Sequence, residues 1–323
     1  MVKIQIIVIS FLVCWRAHAQ QSSALTPSQF GSIQLIEKKM QRIGLQFLSD
    51  TNQSNRLKGA REFVKLLVEA LKVENSFQYP FDSIPYLAKV VPDDKALKVF
   101  TFQVMLDNYT FIHYGCIQLN RKNIKLIPFK DFSDTFMVTP QFTISNKNWL
   151  GAVYYKAIMK TIDKKPVYFL FGYDQNDLLT DKKYIEAMWI EKDSIARFGM
   201  PLFEKTITEI LPQPKSKLGE APPKPVAPRK ITKNYYRYVL EYRKKASVNF
   251  RYDKSKDIIT HDHITPLDPK YSDAGFMKVP DGSYEGLRWN GNKWIWIDYV
   301  PVADKETNDP IRPVPSKSNK LEH

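Results

Sequence analysis

The sequence predicts an α+β fold, mainly antiparallel β with an N-terminal helical hairpin. The alternative is two separate β domains split by a proline-rich segment. Three observations carry the prediction. Apolar stripes at three-four spacing occur before residue 76, a period of two takes over from about residue 97 to residue 300, and 212–229 has the composition of a solvated loop.

The N-terminus comes first. Lys3 supplies a positive start, IQIIVISFLVCW is an apolar run, and Ala17-His18-Ala19 is a small-x-small exit before Gln20. This layout predicts a cleaved secretory signal over 1–19, too short to span a bilayer as an anchor. Val13 before Cys14 is not the small residue a lipoprotein would need. Export to the periplasm, the envelope or the medium is therefore expected. It leaves one cysteine, Cys116, hence no internal disulfide and a fold that relies on its core.

Residues 20–76 read as the helical hairpin. Thr26 is placed to cap a helix over 27–49, and Pro27 suits its first turn. Ile33, Ile36, Met40, Ile43 and Phe47 form one apolar stripe. A second helix fits 59–73, with Ala60, Phe63, Leu67, Ala70 and Leu71 on one side. These stripes are too short for a long coiled coil and predict packing on the main body.

The body, 77–300, reads as strands. In KVFTFQVMLDNYTFIHYGCIQL, Phe100, Phe102 and Val104 face one way, Asp107-Asn108 is turn chemistry, and Tyr109 to Leu119 returns. GAVYYKAIMKTI, a turn at Asp163-Lys164-Lys165 and PVYFLFGY form a second hairpin. Short strands are predicted at 184–190 and 196–204, and strand signals resume after the proline-rich stretch at NYYRYVLEYRK, SVNFRYD and KDIITHDHI. With Gly291-Asn292 as a two-residue turn, Trp289 and Trp294 oppose one another; a turn at Asn290-Gly291 would instead oppose Leu287 and Trp294. Residues 301–323 are polar and proline-spotted and read as a disordered tail.

The net charge is +14, with lysines spread as pairs at turns and helix faces. That distribution is a solvated surface or an attraction to anionic envelope polymers. No recognition motif accompanies the charge, so nucleic acid is not an expected partner. No second long apolar stretch follows the first, which predicts no transmembrane segment.

Several stretches occur together in order: NWLGAVYYKAI, YFLFGYDQNDLLTDKKYIE, ARFGMPLF, VLEYRKKASVNFRYD, HDHITP and PDGSYEGLRW. In this the chain resembles a family of uncharacterised, signal-bearing proteins exported by Bacteroidota-type bacteria. The resemblance runs from the helices to about residue 300. It implies export and brings no activity, ligand or catalytic residue with it. Trp149, Gly151, Tyr154, Tyr155, Gly172, Asp174, Asn176, Asp177, Asp262, His263, Asp281, Gly282, Ser283, Tyr284 and Gly286 match what looks typical of the family. Gln175 and Glu285 depart from it, which weakens a metal reading at those turns.

Four groups of residues could carry chemistry. In HDHITP, His261 and His263 project to one face of a strand, about 6–7 Å apart, and Asp262 to the other. Two imidazoles can begin a metal site or an acid–base pair, but a zinc site needs a third ligand. The plainer reading is a strand end with His263 bonded to backbone. In YDQNDLLTD, Asp174 and Asp177 could approach calcium, yet Asp and Asn after a strand are ordinary turn formers. His113 and Cys116 differ by three and face opposite sides, which disfavours a dyad. Lastly Tyr154, Tyr155, Trp289, Trp294 and Trp296 could form an aromatic binding face or simply be core. No G-x-S-x-G elbow, P-loop or G-x-G-x-x-G is present.

The expected function is a non-catalytic envelope protein that binds a partner protein, an anionic polymer or a glycan, with no cofactor. The competing expectation is a metal-assisted hydrolase using His261 and His263. Convergence of these residues in one cleft separates the two.

Overall fold

The computed structural model describes residues 23–136, 138–191, 195–209 and 226–301. The predicted leader 1–19, most of the proline-rich stretch 212–229 and nearly all of the tail 301–323 lie outside the described residues.

The Thr26 backbone N–H donates to Gln29 Oε1 and the Gln29 N–H to Thr26 Oγ1, a reciprocal cap. Helix α1 (Pro27–Ser49) therefore starts where its sequence predicts. Helix α2 (Gln53–Leu71) starts before its apolar stripe does. Asn52 caps it by accepting from Ser54 and Asn55 N–H, and the polar first turn hides this start from a periodicity reading.

The strands follow in chain order. β1 (Ala88–Val90), β2 (Leu97–Met105), β3 (Phe111–Leu119) and β4 (Leu126–Phe129) form one antiparallel sheet. Tyr109, predicted to begin β3, instead sits in the turn with φ +62°. β5 (Ile144–Ser145), β6 (Val153–Ile162), β7 (Lys165–Asp174), β8 (Thr180–Ile190) and β9 (Ala196–Phe198) form a second sheet. Asp163 and Lys164, at φ +49° and +62°, make its tight β6–β7 turn. A third sheet takes β10 (Phe203–Glu209) and β11 (Arg229–Tyr235). β12 (Arg237–Arg243) returns to the second sheet beside β8. β13 (Phe250–Asp253), β14 (Ile258–Pro266), β15 (Lys278–Trp289) and β16 (Trp294–Ile297) complete the third, in the order β11-β10-β16-β15-β14-β13.

The fold is thus α+β and stacks in four layers: helices, first sheet, second sheet, third sheet. One core lies at each of the three junctions. Phe100, Phe102 and Val104 of β2 meet Met40, Phe47, Phe63 and Leu67 of the helices. Val99 and Ile117, on the opposite face of the first sheet, meet Tyr154, Tyr168 and Leu170 of the second. Phe169, Phe171 and Ile185 then meet Phe203, Ile259, Leu287 and Trp294 of the third. β7 is covered on both faces, which is why PVYFLFGY reads as an unbroken apolar run.

The two-domain alternative is overturned. β10, before the proline-rich stretch, pairs with β11, after it, from Phe203↔Tyr235 to Glu209↔Arg229. Strands from both sides of the stretch also share the second sheet, since β12 pairs with β8. No helix among the described residues is long and apolar enough to cross a membrane.

One buried ion pair fixes β12. Arg237 Nε donates to Glu186 Oε2 at 2.7 Å, and its other N–H groups donate to the carbonyls of Pro140, Phe142 and Phe198. Glu186 accepts from Tyr154 Oη, which accepts from Trp149 Nε1. Each of the three guanidinium nitrogens has a partner on a neighbouring segment, so the start of β12 is held against the second sheet. The next residue, Tyr238, is thereby aimed at the third sheet.

Candidate functional site

The inner face of the third sheet is core at one end and open at the other. Ile259, Leu287, Trp294 and Phe203 fill the closed end. Further along the same strands His261 continues that face while still buried, and His263, Glu285, Trp296 and Lys205 line a cleft of about 430 Å³. Tyr238, Val239 and Leu240 of β12 form its opposite wall.

A bulge shapes the floor. Asp262 pairs with Tyr284, but Ile264 pairs with Pro280, so Asp281-Gly282-Ser283 all stand opposite His263. Gly282 takes φ +91°, a conformation that a side chain would strain. Asp281 Oδ1 accepts from Ser283 N–H and Oγ–H, which fixes the carboxylate. Its other oxygen accepts from His263 Nδ1 at 2.6 Å. The Ser283 backbone N–H, with His263 behind it, holds the Asp281 carboxyl down at about 2.

Glu285 is the meeting point. His263 Nε2 lies 3.5 Å from Oε1, and Trp296 Nε1–H donates to Oε2 at 3.2 Å. His261 Nε2 lies 4.0 Å from Oε2. The two histidines do converge on Glu285, but only His263 lines the cleft, and they are not equivalent. His261 is buried, its Nδ1–H donates to the Asp262 carbonyl, and its Nε2 accepts from Tyr238 Oη at 2.7 Å. Burial pushes this imidazole down to about 4, with the charges of His263 and Lys205 acting the same way. Burial also pushes the Tyr238 hydroxyl well above the ordinary tyrosine range, and the Glu285 charge adds to it. His261 is therefore a neutral, fully committed strut, whereas His263 and Glu285 face the opening.

Several expectations are corrected here. The plain reading bonded His263 to backbone; it is His261 that does so, while His263 pairs with Asp281. Asp262, a catalytic candidate, accepts the Asn249 N–H at 2.7 Å and only ties β14 to the preceding loop. Trp289 and Trp294 pair across the Gly291-Asn292 turn as predicted, but Trp294 is wholly buried. Trp289 packs on Phe169 and Trp294, under Lys160. They close the third core and present no stacking face. Tyr154 is also wholly buried, in the Glu186 network. Tyr155 is the extra residue of a β6 bulge, 41% exposed and away from the cleft. Asp177 caps a turn by accepting from Leu179 and Thr180 N–H. Asp174 accepts from Asn176 N–H and otherwise faces His113. Among the described residues, no three His, Cys, Asp or Glu side chains are arranged to hold a metal.

His113 sits in a second cluster, between the first two sheets. Its Nδ1 lies 3.3 Å from Asp131 Oδ2, and its Nε2 lies 3.4 Å from Asp174 and 3.2 Å from Gln103 Oε1. Burial works to raise the Asp131 carboxyl, yet hydrogen bonds from His113 and Ser133 hold it below its ordinary value. Gly151, at φ +80°, leaves room that a Cβ would fill 2.6 Å from the imidazole. Cys116 faces the opposite side, against the helical core, and burial pushes its thiol up to about 12. It has no role as a nucleophile in that state.

Sequence spacing identifies His261 and His263 but misses Tyr238, Glu285, Trp296 and Lys205 as their companions. The Pro-Asp-Gly-Ser interruption of a period-two run is the one local signal of the bulge. Comparisons with protein-family models, with curated proteins and with solved structures found no match.

Proposed function

We propose that the chain is an exported, non-catalytic binding protein of the cell envelope, and that its cleft between β12 and the third sheet holds a glycan. The single observation behind this reading is the cleft floor. Glu285 and His263, the latter oriented by Asp281, present fixed donors and acceptors beside the Trp296 indole. Sugars need that mixture, since each hydroxyl both donates and accepts while the ring carbons seek an aromatic neighbour. The basic charge of +14 and the predicted leader support the envelope as the setting.

The hydrolase reading keeps only the Asp281–His263–Glu285 relay, because both ring nitrogens of His261 are occupied. Among the described residues, no serine or cysteine nucleophile lies in the cleft wall. Calorimetric titration with soluble oligosaccharides tests the proposal directly. Saturable binding that Glu285→Gln weakens, without release of new reducing ends, is the expected result. Release of reducing ends by the unaltered chain would favour the hydrolase. N-terminal sequencing of secreted protein should begin at Gln20, and retention of Met1 in the cell would remove the envelope setting.

A further inference from the structure

We infer that the glycan held in this cleft is acidic, its carboxylate or sulfate group read by Lys205 and Lys233. The inference rests on the glycan-binding reading and narrows it.

The β10–β11 register sets Lys205 directly opposite Lys233. Directly opposed residues of an antiparallel pair share a face, and like charges there are destabilising. That face is the inner one. β10 runs parallel to β16 with Phe203 beside Trp294 and Glu204 beside Ile295, so the next step brings Lys205 beside Trp296. Its ammonium stands 3.9 Å over the Trp296 ring. Trp296, Lys205 and Lys233 thus stand in one row across three strands, with Leu287 beside Trp296 on β15 and Glu285 diagonal to it. Trp296 and Lys205 line the cleft, and Lys233 lies next outward on the same face.

What sets these cations apart from the chain's other unpaired lysines is that they stand on the face that opens into the cleft. Some lysines elsewhere do have carboxylate partners. Lys160 pairs with Asp257, Lys244 with Asp181, and Lys293 with Glu204. Among the described residues Lys205 and Lys233 form no ion pair, nor does Lys278 on the opposite rim of the cleft. The two acids that line the cleft are engaged elsewhere, Glu285 with Trp296 and Glu204 with Lys293. Two opposed ammonium groups beside a sugar-sized cleft, with no carboxylate of their own, fit an anion that arrives with the ligand.

The position of Lys205 also gives the selectivity a mechanism. Its ammonium covers the ring face that a sugar would stack on. An acidic group bridging Lys205 and Lys233 draws the ammonium off the indole and uncovers it. A neutral sugar must displace the ammonium without that compensation.

The test is calorimetric titration of the purified chain with two matched pairs: oligogalacturonate against its methyl ester, and dextran sulfate against dextran. The acidic member of at least one pair should bind about tenfold tighter than its neutral partner, and added salt should erase the gap. Which pair shows the gap distinguishes carboxylate from sulfate. Lys205→Gln and Lys233→Gln should each weaken acidic binding about fivefold, whereas Lys38→Gln, exposed on α1, should not. Lys233 is exposed, so its substitution leaves the fold intact even if that of Lys205 does not. Equal binding of acidic and neutral members overturns the inference and leaves the glycan reading standing. Equal weakening by Lys38→Gln overturns it as well, in favour of diffuse surface charge. No binding in any arm overturns both.

Discussion

His113 and His263 each face a pair of carboxylates, and they mean different things. Asp131 and Asp174 bracket His113 between two packed sheets, where its side chain is 1% exposed. Asp281 and Glu285 bracket His263 at the lip of a cleft, where its side chain is 34% exposed. The inner cluster satisfies its own charges and excludes everything else. The outer one leaves Glu285 and the indole facing an opening that a ligand can enter. Composition is nearly the same in both, so function follows from which layer boundary is open.

The sharpest way to break this comparison is to empty the inner cluster. His113→Leu removes the imidazole between Asp131 and Asp174, leaving both carboxylates with backbone N–H donors only, and should cost about 3 kcal/mol or more. Urea denaturation measures this, and glycan binding at 25 °C should persist where the chain stays folded. The second test uses pH. His261 is held near 4 in the folded chain against an ordinary 6.5, so between those values only the unfolded chain takes up the proton. Stability should be full above about pH 6.5 and fall toward pH 4 by roughly 3 kcal/mol, a slope that His261→Gln removes. Thermal melts across that range supply the measurement. Third, Glu285→Gln should weaken glycan binding about tenfold while shifting the melting temperature little, the reverse of the His113 pattern. The smallest effect belongs to Tyr155→Ala, outside both clusters. It should change stability by no more than about 1 kcal/mol and binding not at all.

Local signals read well from the sequence and remote ones did not. Thr26, Pro27 and the stripe from Ile33 to Phe47 give both ends of α1, because cap and stripe are encoded within a few residues. The start of α2 was hidden because Gln53-Ser54-Asn55 carries no apolar residue. The β6–β7 and β15–β16 hairpins follow from their turns. The pairing of β10 with both β11 and β16 does not, since these partners lie far along the chain and one runs parallel. The same reason decides the site. His261 and His263 share a face through simple alternation, whereas Tyr238 comes from another sheet and Asp281 from a bulge with two extra residues. Burial was the other hidden variable. Tyr154 and Tyr155 are neighbours on one strand, so they take opposite faces, and only the fold decides that the Tyr154 face is core and that Tyr155 is 41% exposed.

β16 carries a further consequence. This strand is only four residues long, yet it lies in the middle of the third sheet, between β10 and β15. Until it arrives, β10–β11 and β13–β15 can form only as two separate ribbons, and the Phe169 face of β7 has no complete cover. A nascent chain thus reaches its native arrangement only when Trp294 drops in like a keystone. Chains halted before that residue should be sticky, and chaperone capture should end abruptly once it is added.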